Sequence, residues 1–151
     1  MIRLQTETFD PGALLTAFSG GRSETGAVVS FTGLMRGGNT ERLELEAYPG
    51  FTEAAIEAIA EAARTRFSLH DLIIVHRVGE IGPGEAIVFV ATAAAHRREA
   101  FEAADQLMDY LKSRAPFWKK EHGPDGVRWI EPTARDHADA ARWDDAKGPI
   151  E

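Results

Sequence analysis

The chain has 151 residues, an ordinary length for one domain at roughly 150 residues per domain, and a net charge of −7. An acidic chain of this kind excludes general binding to nucleic acid or to an anionic membrane, so any anion site must be a local gathering of positive charge. The absence of cysteine excludes disulfides, cysteine-ligated metal, and a cysteine nucleophile or persulfide carrier on this chain.

Residues 2–7 alternate in polarity and predict a short strand. Asp10-Pro11 is an N-cap followed by a helix-compatible proline, opening a helix to about Phe18. Residues 26–34 are rich in β-branched and aromatic side chains and predict a buried strand; residues 43–48 alternate and predict a strand with one polar face. Pro49-Gly50 breaks the chain, with Thr52 as the expected cap of a helix carrying Ile56, Ile59, Ala60, Ala63 and Phe67 at helical spacing. Residues 72–78 and 87–92 predict a hairpin around Gly82-Pro83-Gly84. A long helix follows from about His96 to Arg114, ended by Pro116. Residues 117–121 and 127–131 flank Gly123-Pro124-Asp125-Gly126 and predict a second hairpin. Residues 133–151 read as a polar, partly mobile tail anchored by Trp143. The order β-α-β-β-α-β-β-α-β-β predicts one α+β domain over 1–151 with mostly antiparallel sheet.

The N-terminus has no apolar core of a signal peptide, and no apolar run reaches the ~18 residues of a membrane span. A cytoplasmic location, with no membrane and no nucleic-acid partner, is therefore expected.

Lysine usage is the sharpest chemical signal. Of 17 lysines and arginines, only Lys112, Lys119, Lys120 and Lys147 are lysines, and three of them cluster beside Pro116, Phe117 and Trp118. Arginine stays charged, whereas lysine loses its proton readily when desolvated or crowded by cations. The cluster therefore points to proton chemistry, although cations at a helix C-terminus also suit the helix dipole. His96-Arg97-Arg98 opens the long helix, where cations oppose the dipole but free N–H groups and guanidiniums suit phosphate. An exposed basic turn paired with Glu99 and Glu102 explains the same residues. Arg36 follows a strand end beside two glycines, a position that fits a site loop or a plain exposed arginine. His76 reads as a satisfied, partly buried strand histidine. The other histidines lack metal-ligand spacing, and no metal site or resident cofactor is expected.

In order and spacing, several segments resemble one family. They are Gly26-Ala27-Val28-Val29-Ser30-Phe31-Thr32-Gly33-Leu34-Met35-Arg36, Leu45-Glu46-Ala47-Tyr48-Pro49-Gly50, His76-Arg77-Val78-Gly79, and His96-Arg97-Arg98-Glu99-Ala100-Phe101. Met108-Asp109-Tyr110-Leu111-Lys112 and Pro116-Phe117-Trp118-Lys119-Lys120-Glu121 complete the set, with Trp129. Together they resemble the large, catalytic subunit of molybdopterin synthase over about residues 3–143.

The resemblance implies an α+β fold with an α/β-hammerhead element, working as a homodimer within a heterotetramer. It implies a sulfurtransferase of molybdenum cofactor biosynthesis. Cyclic pyranopterin monophosphate (precursor Z) would receive two dithiolene sulfurs from the C-terminal Gly-Gly thiocarboxylate of a small ubiquitin-like partner. A chain without cysteine agrees with sulfur carried by another protein. By position, the resemblance implies Lys112 and Lys119 as catalytic residues. The implied substrate-binding residues are Leu34, Met35, Arg36, His96, Arg97, Lys112, Lys119, Lys120 and Glu121. Pro132-Thr133 departs from the basic residue common there, leaving Arg135 as the substitute. The reading from another class is a non-catalytic dimeric adaptor that only binds the Gly-Gly tail of a ubiquitin-like protein.

Overall fold

The computed structural model describes residues 1–144, and Lys147 with the last part of the expected tail lies outside them. Two four-stranded sheets carry the fold. The first has the order β1 (Ile2–Gln5), β4 (Asp71–Arg77), β6 (Ala86–Ala94), β2 (Ala27–Leu34). The second has the order β5 (Gly79–Ile81), β3 (Arg42–Ala47), β7 (Phe117–Gly123), β8 (Gly126–Ile130). Among the described residues, only β1 and β4 pair in parallel; the other ladders are antiparallel. The predicted α+β class with mostly antiparallel sheet holds.

Period-two alternation decides what covers the first sheet. Ile73 and Val75 of β4 join Phe89, Ala91 and Ala93 of β6 under α1 (Pro11–Ser19), which contributes Phe18. Leu72 and Ile74 face the opposite way, into the core formed by α2 (Phe51–Arg66) and α3 (Arg97–Ser113). Ile56, Ala60 and Ala63 of α2 and Ala100, Ala103, Leu107 and Leu111 of α3 pack there at helical spacing. Asp10 caps α1 as expected, accepting from the amides of Gly12 at 2.9 Å and Ala13 at 3.3 Å.

Four elements depart from the sequence reading. Thr52 does not cap α2; Gly50, at φ 78°, holds that position. The Thr52 hydroxyl is instead buried, accepting from Tyr48 N and donating to the Pro116 carbonyl at 2.6 Å, which ties α2 to the start of β7. The strand expected over 2–7 stops at Gln5. β4 and β6 do pair, but β5 lies between them in the chain and leaves for the second sheet. Residues 134–141 form α4 (Ala134–Ala141), where no element was expected. The Thr133 hydroxyl accepts from Asp136 N and the Asp136 carboxylate accepts from Thr133 N, a reciprocal cap at 3.0 and 2.9 Å. The residues after α4 dock on α3: Trp143 Nε1 donates to Asp109 at 2.6 Å, and Arg142 pairs with Asp105 and Asp109.

Among the described residues, no helix is long and apolar enough to cross a membrane.

Candidate active site

The two sheets meet at a small apolar knot of Met35, Leu45 and Ile81, backed by Leu43 and Ile87. Beside it opens a cavity of about 360 Å³. Its walls come from the end of β2, from β3 and β7 of the second sheet, from His76 of β4, and from the last turns of α3. Gly33 lines the cavity at a point of close approach, since a Cβ there would sit 2.8 Å from Val88 Cγ1.

Leu34, Met35, Arg36, Lys112, Lys119 and Glu121 all line this cavity. The loop carrying the first three is pinned to the turn before β6: Met35 N donates to Glu85 O and Gly84 N donates to Met35 O, each at 2.8 Å. Met35 is buried in the knot, while Leu34 and Arg36 are exposed at the rim. Lys112 lies in the last turn of α3, where its charge also suits the helix dipole. Lys119 comes from the middle of β7, opposite Leu45 in the ladder.

Lys119 is perturbed in the direction its surroundings dictate. Burial pushes its pKa below 10.5, and the Lys112 ammonium pushes the same way. Asp136, at the start of α4, opposes both. The Asp136 carboxyl is itself held below the ordinary value, first by its hydrogen bond from Thr133 N and further by Lys112 and Lys119. The arrangement is a pair of cations in a largely apolar-walled cavity, with one carboxylate held beside them.

Lys120, His96 and Arg97 are elsewhere in this chain. Lys120 points to the opposite face of β7, its ammonium 4.4 Å from the Trp129 ring centroid. His96 precedes α3 as its cap residue without a side-chain capping bond, and Arg97 begins the helix; both are exposed and neither lines the cavity. At 1.5 Å per residue, Arg97 and Lys112 lie about 22 Å apart along α3. Glu121 lines the cavity but is bridged to Arg128 at 2.5 Å.

His76 lines the cavity although spacing gave it no role. Alternation along β4 explains it, because Leu72, Ile74 and His76 share the α3 face of the strand. Its ring lies on Phe117, with centroids 4.4 Å apart and planes 19° from parallel. Burial pushes its pKa down to about 4; the hydrogen bond to the Arg77 carbonyl opposes the shift, and Lys119 adds to it. Asp136 also escaped the sequence reading, although Thr133-x-x-Asp136 has the spacing of a reciprocal helix cap.

A match to the MoaE protein family spans residues 4–114. The molybdopterin synthase catalytic subunit of Caulobacter vibrioides is 70% identical over 146 residues, covering 95% of this chain and 97% of that protein. Among solved structures, the molybdopterin biosynthesis MoaE protein from Burkholderia ambifaria is 46% identical with a TM-score of 0.83, covering 97% of this chain and 99% of that one. Molybdopterin synthase from Staphylococcus aureus is 30% identical with a TM-score of 0.76, covering 84% of this chain and 94% of that one.

Proposed function

The chain belongs to the MoaE protein family and acts as a molybdopterin synthase catalytic subunit, and from that premise we propose the chemistry of its cavity. A catalytic subunit works with a second, smaller chain. The finer reading is that this partner brings sulfur as a C-terminal Gly-Gly thiocarboxylate, and that precursor Z is the acceptor.

Lys119 carries the proposal. Its ammonium is disfavoured by burial and by Lys112, so it can give and regain a proton near neutral pH more readily than a surface lysine. In this reading the thiocarboxylate sulfur attacks an electrophilic carbon of the pterin side chain, forming a carbon–sulfur bond as the carbon–oxygen bond breaks, and water then cleaves the acyl–sulfur bond to release the partner as its carboxylate. Lys119 moves the proton needed as oxygen leaves, and Lys112 stabilises negative charge developing on phosphate or enol oxygen. Arg36 at the rim binds the cyclic phosphate. Leu34 and Met35 form apolar wall, and Glu121 holds the β7–β8 side of the cavity through Arg128.

His96 and Arg97 fit this reading if a second copy of the chain supplies them. A two-fold axis can set the start of one α3 beside the end of its mate. Lys120, on the far face of β7, acts outside the cavity of its own chain.

The test is incubation with precursor Z and a thiocarboxylated partner, read as molybdopterin formed. Product formation supports the synthase; tight binding of the partner's tail without turnover would replace it with the adaptor reading.

A further inference from the structure

We propose that His76 is a specificity-determining residue, its Nε2 lone pair accepting a hydrogen bond from an N–H of the pterin ring system. The inference rests on the reading of precursor Z as substrate.

The geometry fixes the ring and its tautomer. Nδ1 lies 2.8 Å from the Arg77 carbonyl oxygen, which can only accept, so Nδ1 carries the proton. Nε2 is then the ring's free acceptor. Stacking on Phe117 sets the plane of the ring, and only 6% of the residue is exposed, so the acceptor has little freedom to turn away. The Arg77 carbonyl is itself held by a rigid neighbour: the Arg77 guanidinium binds Glu85 at 2.6 Å and the carbonyls of Thr6 and Glu80.

The chemistry of the cavity gives this acceptor its use. Lys119 from β7, Lys112 from α3 and Arg36 after β2 supply positive charge, which suits the phosphate end of the substrate. The Glu121 carboxylate is occupied by Arg128. A pterin also presents ring N–H and amino groups, which cations repel and a lone pair welcomes. Burial of the ring, with the Lys119 ammonium adding to it, keeps His76 uncharged at neutral pH, so it serves as an acceptor rather than a fourth cation. A buried group built to receive an N–H discriminates against ligands that lack one.

Two variants separate this role from packing. His76→Phe keeps a ring on Phe117 and loses the acceptor. His76→Gln places an amide oxygen near the Nε2 position. With thiocarboxylated partner in excess, His76→Phe should raise the KM for precursor Z by about tenfold while kcat stays within about twofold, the loss of one buried hydrogen bond. His76→Gln should recover most of that KM. The ratio of wild-type to His76→Phe kcat/KM should stay flat from pH 8 to 5.5. An unchanged KM in His76→Phe overturns the proposal, as does an equal loss in the Phe and Gln variants. A ratio that climbs as pH falls through about 6.5 would show an imidazolium binding phosphate and overturns it too. If His76→Phe does not fold, His76→Asn keeps a donor to the Arg77 carbonyl, lacks the distal acceptor, and makes the same comparison. Wild-type protein that forms no molybdopterin would overturn both the substrate reading and this inference; wild-type turnover with an unmoved KM overturns this inference alone.

Discussion

Lys119 faces Leu45 across the β3–β7 ladder, so the ammonium of a cavity lysine shares its side of the sheet with a leucine that is 1% exposed. That pairing gives the lysine its character. A strand position that alternation assigns to the interior has been filled with a cation, and the apolar floor beneath it withholds the water that would stabilise the charge.

Replacing Lys119 by methionine should therefore stop sulfur transfer without harming the fold. The sign of the stability change follows from linkage. The folded-state pKa lies below 10.5, so the unfolded chain binds more protons between the two values and stability rises with pH there. The cost of holding the ammonium is full below the folded-state pKa and fades toward pH 10.5. Lys119→Met should raise the Tm at pH 7 and match wild type near pH 10.5. Near-normal turnover would remove Lys119 from the chemistry, and a lower Tm at pH 7 would show that its charge is structural.

Asp136→Asn removes the carboxylate that opposes the depression of Lys119. The Lys119 pKa should fall further, so its acylation by acetic anhydride, read by peptide mass, should set in at lower pH than in wild type. The same change weakens the cap of α4, at a cost of about 1 kcal/mol. An unmoved acylation profile would mean that Asp136 serves only the helix.

Arg97→Ala and Lys112→Ala should each be inactive alone, and mixing them should restore part of the activity. If the cavity is shared across a two-fold axis, each mixed dimer has one site with both groups intact. Proven mixed dimers without recovered turnover would place both residues in one chain's site, or Arg97 outside it.

Gly26→Ala tests the frame. A Cβ at that position would meet the Ala95 carbonyl oxygen 2.1 Å away, and that oxygen is backbone that cannot swing aside. The loss should be about 1–3 kcal/mol, measured by urea unfolding, as for other overpacked positions. A variant as stable as wild type would show that β2 and the end of β6 separate freely.

Helices α1, α2 and α3 and most strands were legible because periodicity and turn residues agreed. β5 was not, since three residues beginning with glycine carry no period. α4 was hidden by a polar composition, although its capping residues were in view at Thr133 and Asp136. At the site, residue type marked the lysine cluster, and the resemblance singled out Lys112 and Lys119 within it. His76 was passed over because strand alternation gives a face, while the cavity on that face is made by α3 and by the other sheet. The separation of Arg97 from Lys112 follows from helix rise alone and was as clear before the fold as after it.

The brief excursion of β5 out of the first sheet and into the second has a mechanical consequence. His76 is the penultimate residue of a strand of one sheet, just before the chain crosses over, and Phe117 and Lys119 belong to the other. A small rotation of one sheet against the other would alter the spacing of His76 and Lys119 while leaving every ladder hydrogen bond in both sheets intact. The width of the cavity is thus set between the sheets rather than within either one, like the jaw of a vice. Three fittings set its gap: the stacked rings of His76 and Phe117, the knot of Met35, Leu45 and Ile81, and the Arg77–Glu85 ion pair spanning the crossover.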